Sequence, residues 1–128
     1  MDYHYSKILS MTFDATIAKV TEELKKEGFG ILTEIDVQAT LKKKLDVDFR
    51  PYRILGACNP TFAWQAFQAE DHIGVLMPCN VIVQDRGNDR TEVSAVNPMS
   101  SMQSVRNPVL GDVAAEVTAR LRRVIDSL

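Results

Sequence analysis

Cys58 and Cys79 are the most reactive side chains in this chain. A thiolate is a nucleophile and a soft-metal ligand, and its pKa falls beside a helix N-terminus. Cys58 stands just ahead of Asn59-Pro60, a dipeptide suited to begin a helix, so it is the candidate for thiol catalysis or redox chemistry. Against this, isolated cysteines on strands commonly serve as small core residues. Twenty residues lie between the two, there is no Cys-x-x-Cys, and the sequence leaves open whether the thiols meet.

Asn-Pro occurs three times, at Asn59-Pro60, Asn97-Pro98 and Asn107-Pro108. Asparagine is a strong N-cap and proline suits the first helical position, so each pair reads as a helix start. If the helices after Cys58 and after Val96 begin at one end of a sheet, their free N–H groups would form an anion site, completed by Arg50, Arg53 or Arg106. Arg50-Pro51-Tyr52-Arg53 could grip a planar anion by hydrogen bonding and stacking, or could pair with nearby Asp46 and Asp48. With Asn80 after Cys79, the candidate ligand-binding set is Arg50, Tyr52, Arg53, Cys58, Asn59, Cys79, Asn80 and Asn97.

Other polar groups carry less. Glu34 and Asp36 alternate on one strand face, about 7 Å apart by strand rise, where they could hold a cation or do acid–base work. The plainer reading is a solvated edge with Asp36 capping a helix. His4 and His72 lack recognisable ligand partners, so no metal site is expected, and no phosphate-binding or nucleophile-elbow motif is present. No cofactor is indicated.

The elements that must position these groups are legible from periodicity. Strands are expected over 2–10, from Phe29 to Asp36, from Tyr52 to Cys58, within the apolar run Ile73–Val83 (one long strand, or one broken at Pro78) and over Thr91–Val96. Phe29, Ile31, Ile35 and Val37 should share one face of the second strand, and Tyr52, Ile54, Gly56 and Cys58 one face of the third. Helices are expected after the caps Thr12, Asp36 and Asn59, with Gly28 ending the first. Phe62, Ala63, Ala66 and Phe67 make the expected buried stripe of the third helix. The final helix, Leu110 to Leu128, repeats apolar residues at i, i+3, i+4 and i+7 throughout. Met99 to Ser104 reads as a connector without structure, or as a flap or dimer-contact loop. The hairpin closing at Asp85–Asp89 argues for a single-domain α+β two-layer sandwich over 1–128, with helices on one face of a mainly antiparallel sheet.

Composition sets bounds. The chain has 128 residues, 15 Lys and Arg against 17 Asp and Glu, and no basic excess of the kind nucleic-acid binding requires. No apolar run reaches the roughly 20 residues of a membrane span, and no leader segment is evident at the N-terminus. Reduced thiols and a cytoplasmic location are the expectation.

GFGILTEIDV at Gly28–Val37, LGACNP at Leu55–Pro60, PCNV at Pro78–Val81 and VSAVNP at Val93–Pro98 resemble the family of bacterial and archaeal proteins known as domain of unknown function 302, over most of the chain. The resemblance implies the same α+β architecture and a homodimer, and it carries no established activity. Some members of the family occur in sulfur-oxidation contexts, which adds weight to the thiol reading by analogy. The expected function is a homodimeric binder of a small, anionic ligand. The alternatives are a thiol-dependent enzyme or redox protein using Cys58, and a ligand-free interaction module.

Overall fold

Each of the five α-helices in the computed structural model, which describes residues 2–128, begins at a capping side chain. Thr12 Oγ1 accepts from the Ala15 N–H (3.3 Å) to start α1 (Phe13–Lys26), and Asp36 Oδ1 accepts from the Ala39 N–H (2.9 Å) to start α2 (Val37–Leu45). Asn59, Asn97 and Asn107 cap α3 (Pro60–Ala69), α4 (Pro98–Ser101) and α5 (Pro108–Asp126). These caps supply acceptors for N–H groups that lack intrahelical partners.

Five strands, β1 (His4–Leu9), β2 (Gly30–Asp36), β3 (Tyr52–Cys58), β4 (Cys79–Gly87) and β5 (Arg90–Val96), form one antiparallel sheet in the order β1-β5-β4-β3-β2. One face is covered. Leu55, Ala57, Val81, Val83, Val93 and Ala95 project into a core closed by Val20 and Leu24 of α1 and by Val117, Leu121, Val124 and Ile125 of α5. A second cluster, Ala66, Ile73 and Leu110, joins α3 to α5. Among the described residues no helix layer covers the centre of the opposite face, where an open groove lies, so the expected two-layer α+β sandwich is the architecture observed.

Four local expectations need correction. A bulge between Ile31 and Thr33 shifts the register of β2, so Ile31 lies opposite Ala57 on the core side while Ile35 lies opposite Ile54 on the open side. Ile31 and Ile35 therefore do not share a face. The segment Ile73–Leu76 is not strand: Asp71–Leu76 forms a 3₁₀ turn, capped where Glu70 accepts from the His72 N–H at 3.1 Å. Ile73 is thereby buried against Ala66 and Leu110, and β4 begins only at Cys79. Phe67 is not in the buried stripe of α3; it is 44% exposed, and Ala66 is the residue buried there. Finally, Met99–Ser104 is structured, because Asn97 caps α4 within it and Met102 and Val105 pack on the second cluster.

Candidate functional site

The candidate residues fall in two places, on opposite sides of the sheet. The first is an apolar cavity of about 40 Å³ on the helix side, where the ends of β3 and β4 meet α3 and α5. Cys58, the last residue of β3, and Cys79, the first of β4, both line it. Cys58 therefore does not stay on the open face with Tyr52, Ile54 and Gly56 as alternation predicts, because the strand ends there and the chain turns into α3. The register that sets Ala57 opposite Cys79 brings them together, a meeting that spacing alone could not reveal. Met77 and Met102 complete a sulfur-rich lining, with Phe29 and Phe62 among the hydrocarbon walls.

Burial works against activation of either thiol. Burial pushes Cys58 above its ordinary pKa, and burial together with the nearby Cys58 charge pushes Cys79 up to about 11. The helix-start argument for a lowered Cys58 pKa therefore gives way to desolvation. The beginnings of α3 and α4 do border this cavity, through Asn59 and Pro98. At each start the cap takes one N–H group: Asn59 Oδ1 accepts from Phe62 (3.5 Å) and Asn97 Oδ1 from Met99 (3.1 Å). Asn59 Nδ2 meanwhile donates to the Glu27 carbonyl at 3.3 Å, and Asn97 Nδ2 to that of Asp2 at 3.0 Å.

The second place is a groove of about 500 Å³ on the open sheet face, lined by Arg50, Tyr52, Asn80, Gln84, Arg86 and Glu92 among others. Alternation along β3 and β4 carries Tyr52, Asn80 and Gln84 to this side. A polar row crosses it. Arg50 Nε donates to Gln84 Oε1 (3.0 Å), Gln84 Nε2 to Glu92 Oε1 (3.1 Å), and Arg86 to the same Glu92 oxygen (2.7 Å). The Arg50 guanidinium lies 4.5 Å from the Phe49 ring centroid and 5.7 Å from that of Tyr52.

Arg53 belongs to neither place. It faces the helix side, 5.8 Å from the Phe13 ring, with its guanidinium on Glu34 (2.6 Å) and Asp36 (3.7 Å). The Arg-Pro-Tyr-Arg run is thus divided by strand alternation, and the paired carboxylates are occupied by an arginine. Arg106 lies apart from both places, beside Glu70 and His72. Sequence reasoning missed Gln84, Arg86 and Glu92, although the hairpin register that opposes Gln84 to Glu92 was within its reach. It also missed Met77 and Met102, which carry no motif.

A family model described as domain of unknown function DUF302 matches residues 5–128. The crystal structure of an uncharacterised conserved DUF302 protein from Bacillus stearothermophilus is similar over 98% of each chain, with 31% sequence identity and a TM-score of 0.90. No curated protein matches the chain. The chain belongs to the DUF302 family.

Proposed function

We propose that this member of the DUF302 family is a homodimeric binder of a small anionic ligand, held on the open sheet face against Arg50 and Tyr52. The groove there carries the reading: its volume of about 500 Å³ falls in the range of roughly 300–1,000 Å³ usual for small-molecule sites. Of its two arginines, Arg86 is paired with Glu92, whereas Arg50 has no carboxylate partner among the described residues. Arg50 therefore offers a planar set of N–H donors beside an aromatic ring, a combination suited to a carboxylate or phosphate on a flat ligand.

The homodimer reading is supported by what the same face leaves to water. Tyr3 is 71% exposed, Ile8 46% and Ile35 48%, with Ile54, Ile82 and Val96 half-buried between them. A second copy laid over this face would cover these side chains and enclose the groove. Support for a thiol enzyme is weaker, because burial raises the Cys58 pKa where a thiol nucleophile needs it lowered.

Native mass spectrometry of freshly purified protein, set against the denatured mass, tests the reading. A dimer carrying a dissociable extra mass is expected. Arg50→Ala should lose the extra mass and remain dimeric, and Ile82→Asp should give monomers. A bare monomer overturns the dimer, and a bare dimer overturns the ligand.

A further inference from the structure

The cavity on the helix side gathers sulfur. Both cysteines and two of the chain's five methionines, Cys58, Cys79, Met77 and Met102, line a space of about 40 Å³ whose remaining walls are almost wholly hydrocarbon. We propose that this cavity binds one soft monovalent cation, Cu(I), with Cys58 and Cys79 as thiolate ligands and Met77 and Met102 as thioether ligands. The proposal is independent of the groove on the opposite face.

Size decides first. The cavity is well below the roughly 300 Å³ at which small-molecule sites begin, and below the roughly 150 Å³ of a cavity that holds benzene. It suits a single ion. The donor atoms decide next, since thiolate and thioether sulfurs together select Cu(I). Among the described residues, no three His, Cys, Asp or Glu side chains are grouped to hold a metal, so zinc, calcium and magnesium lack a donor set here. The fold supplies the sulfurs from three segments. Cys58 ends β3, Met77 and Cys79 flank the entry to β4, and Met102 follows α4, its N–H held by the Pro98 carbonyl at 2.9 Å.

Charge and protons balance without any change of oxidation state. Each thiol gives up its proton as its sulfur–copper bond forms, so loading one Cu(I) releases two protons and leaves one net negative charge at the site. The start of α3, which borders the cavity at Asn59, lies on the side where a helix favours negative charge. Because protons compete with the metal for the two thiols, binding should tighten as pH rises.

The test is an anaerobic titration of fully reduced protein against the coloured Cu(I)–bicinchoninate complex, followed by X-ray absorption of the loaded protein. One equivalent of copper withdrawn per chain, with sulfur-only coordination, is the expected result. Cys58→Ser and Cys79→Ser should abolish withdrawal. Met102→Leu, which keeps volume and spares the thiols, should weaken binding roughly tenfold while leaving the circular dichroism spectrum unchanged. Wild-type protein that withdraws no copper overturns the proposal. So does a folded Cys58→Ser variant that binds like wild type, or a coordination sphere dominated by nitrogen or oxygen.

Discussion

The Asn59 carboxamide packs directly on Gly28. Asn59 Nδ2 donates to the Glu27 carbonyl at 3.3 Å, and a Cβ on Gly28 would lie 2.8 Å from that same nitrogen. Gly28 also holds φ at +86°, a conformation costly for any L side chain. Gly28→Ala should therefore destabilise the protein by about 1–3 kcal/mol, and Asn59→Ala by about 1–2 kcal/mol through the lost cap. The double variant should cost less than the sum, because removing Asn59 removes the clash but leaves the backbone strain. Urea denaturation of the four proteins measures this, and strict additivity would count against the contact.

Stability should fall in alkali. The folded pKa of Cys79 lies above its ordinary value of 9.0, at about 11, so the unfolded chain gives up this proton first. Stability from this group is intact below pH 9.0 and lost as pH climbs towards about 11, with a total on the order of 2–3 kcal/mol. Thermal melts across that window should show a declining Tm for wild type and a shallower decline for Cys79→Ala.

Glu34 and Asp36 both reach Arg53, but they should not matter equally. The Glu34 pair is half exposed, and such pairs are worth about 0.2–1 kcal/mol. Asp36 additionally caps α2 through the Ala39 N–H at 2.9 Å, a role worth about 0.5–2 kcal/mol. Asp36→Ala should thus be the more damaging change by chemical denaturation, and Asp36→Asn should recover most of the loss.

Gly56 tolerates no side chain. It sits on the open face of β3 between Thr33 and Pro78, where an added Cβ would collide with Thr33 Oγ1 and lie 2.8 Å from Pro78 Cγ. Gly56→Ala should cost about 1–3 kcal/mol, as overpacking does, and a Thr33→Gly background should recover part of it. Equal losses in both backgrounds would assign the cost to the strand itself.

Much of the fold was legible because its signals are local. Thr12, Asp36 and the three Asn-Pro pairs mark helix starts by side-chain chemistry that acts within three residues. The stripe of α5 from Leu110 to Ile125 is readable for the same reason. The bulge after Ile31 is set by pairing with β3, so no window of β2 alone reports it. Ile73 reads as strand by composition, yet its burial against Leu110, far along the chain, decides its conformation. The candidate sites follow the same division. Arg50, Tyr52 and Asn80 can be put on one face by alternation, but that Arg53 stands behind them and that Cys58 meets Cys79 are properties of the assembled sheet.

The three Asn-Pro pairs share a second habit besides capping. The Nδ2 groups of Asn59, Asn97 and Asn107 donate to the carbonyls of Glu27, Asp2 and Ala69, so each helix start is tied to a distant stretch of chain. These ties depend on the carboxamide, since an aspartate there would turn an oxygen towards a carbonyl. Asparagine commonly ages by deamidation, when the next backbone nitrogen attacks the carboxamide after shedding its proton. Proline has no such proton to shed. The residue that starts each helix thus also closes this route of deamidation to the asparagine before it, and these asparagines should deamidate more slowly than Asn80 and Asn88.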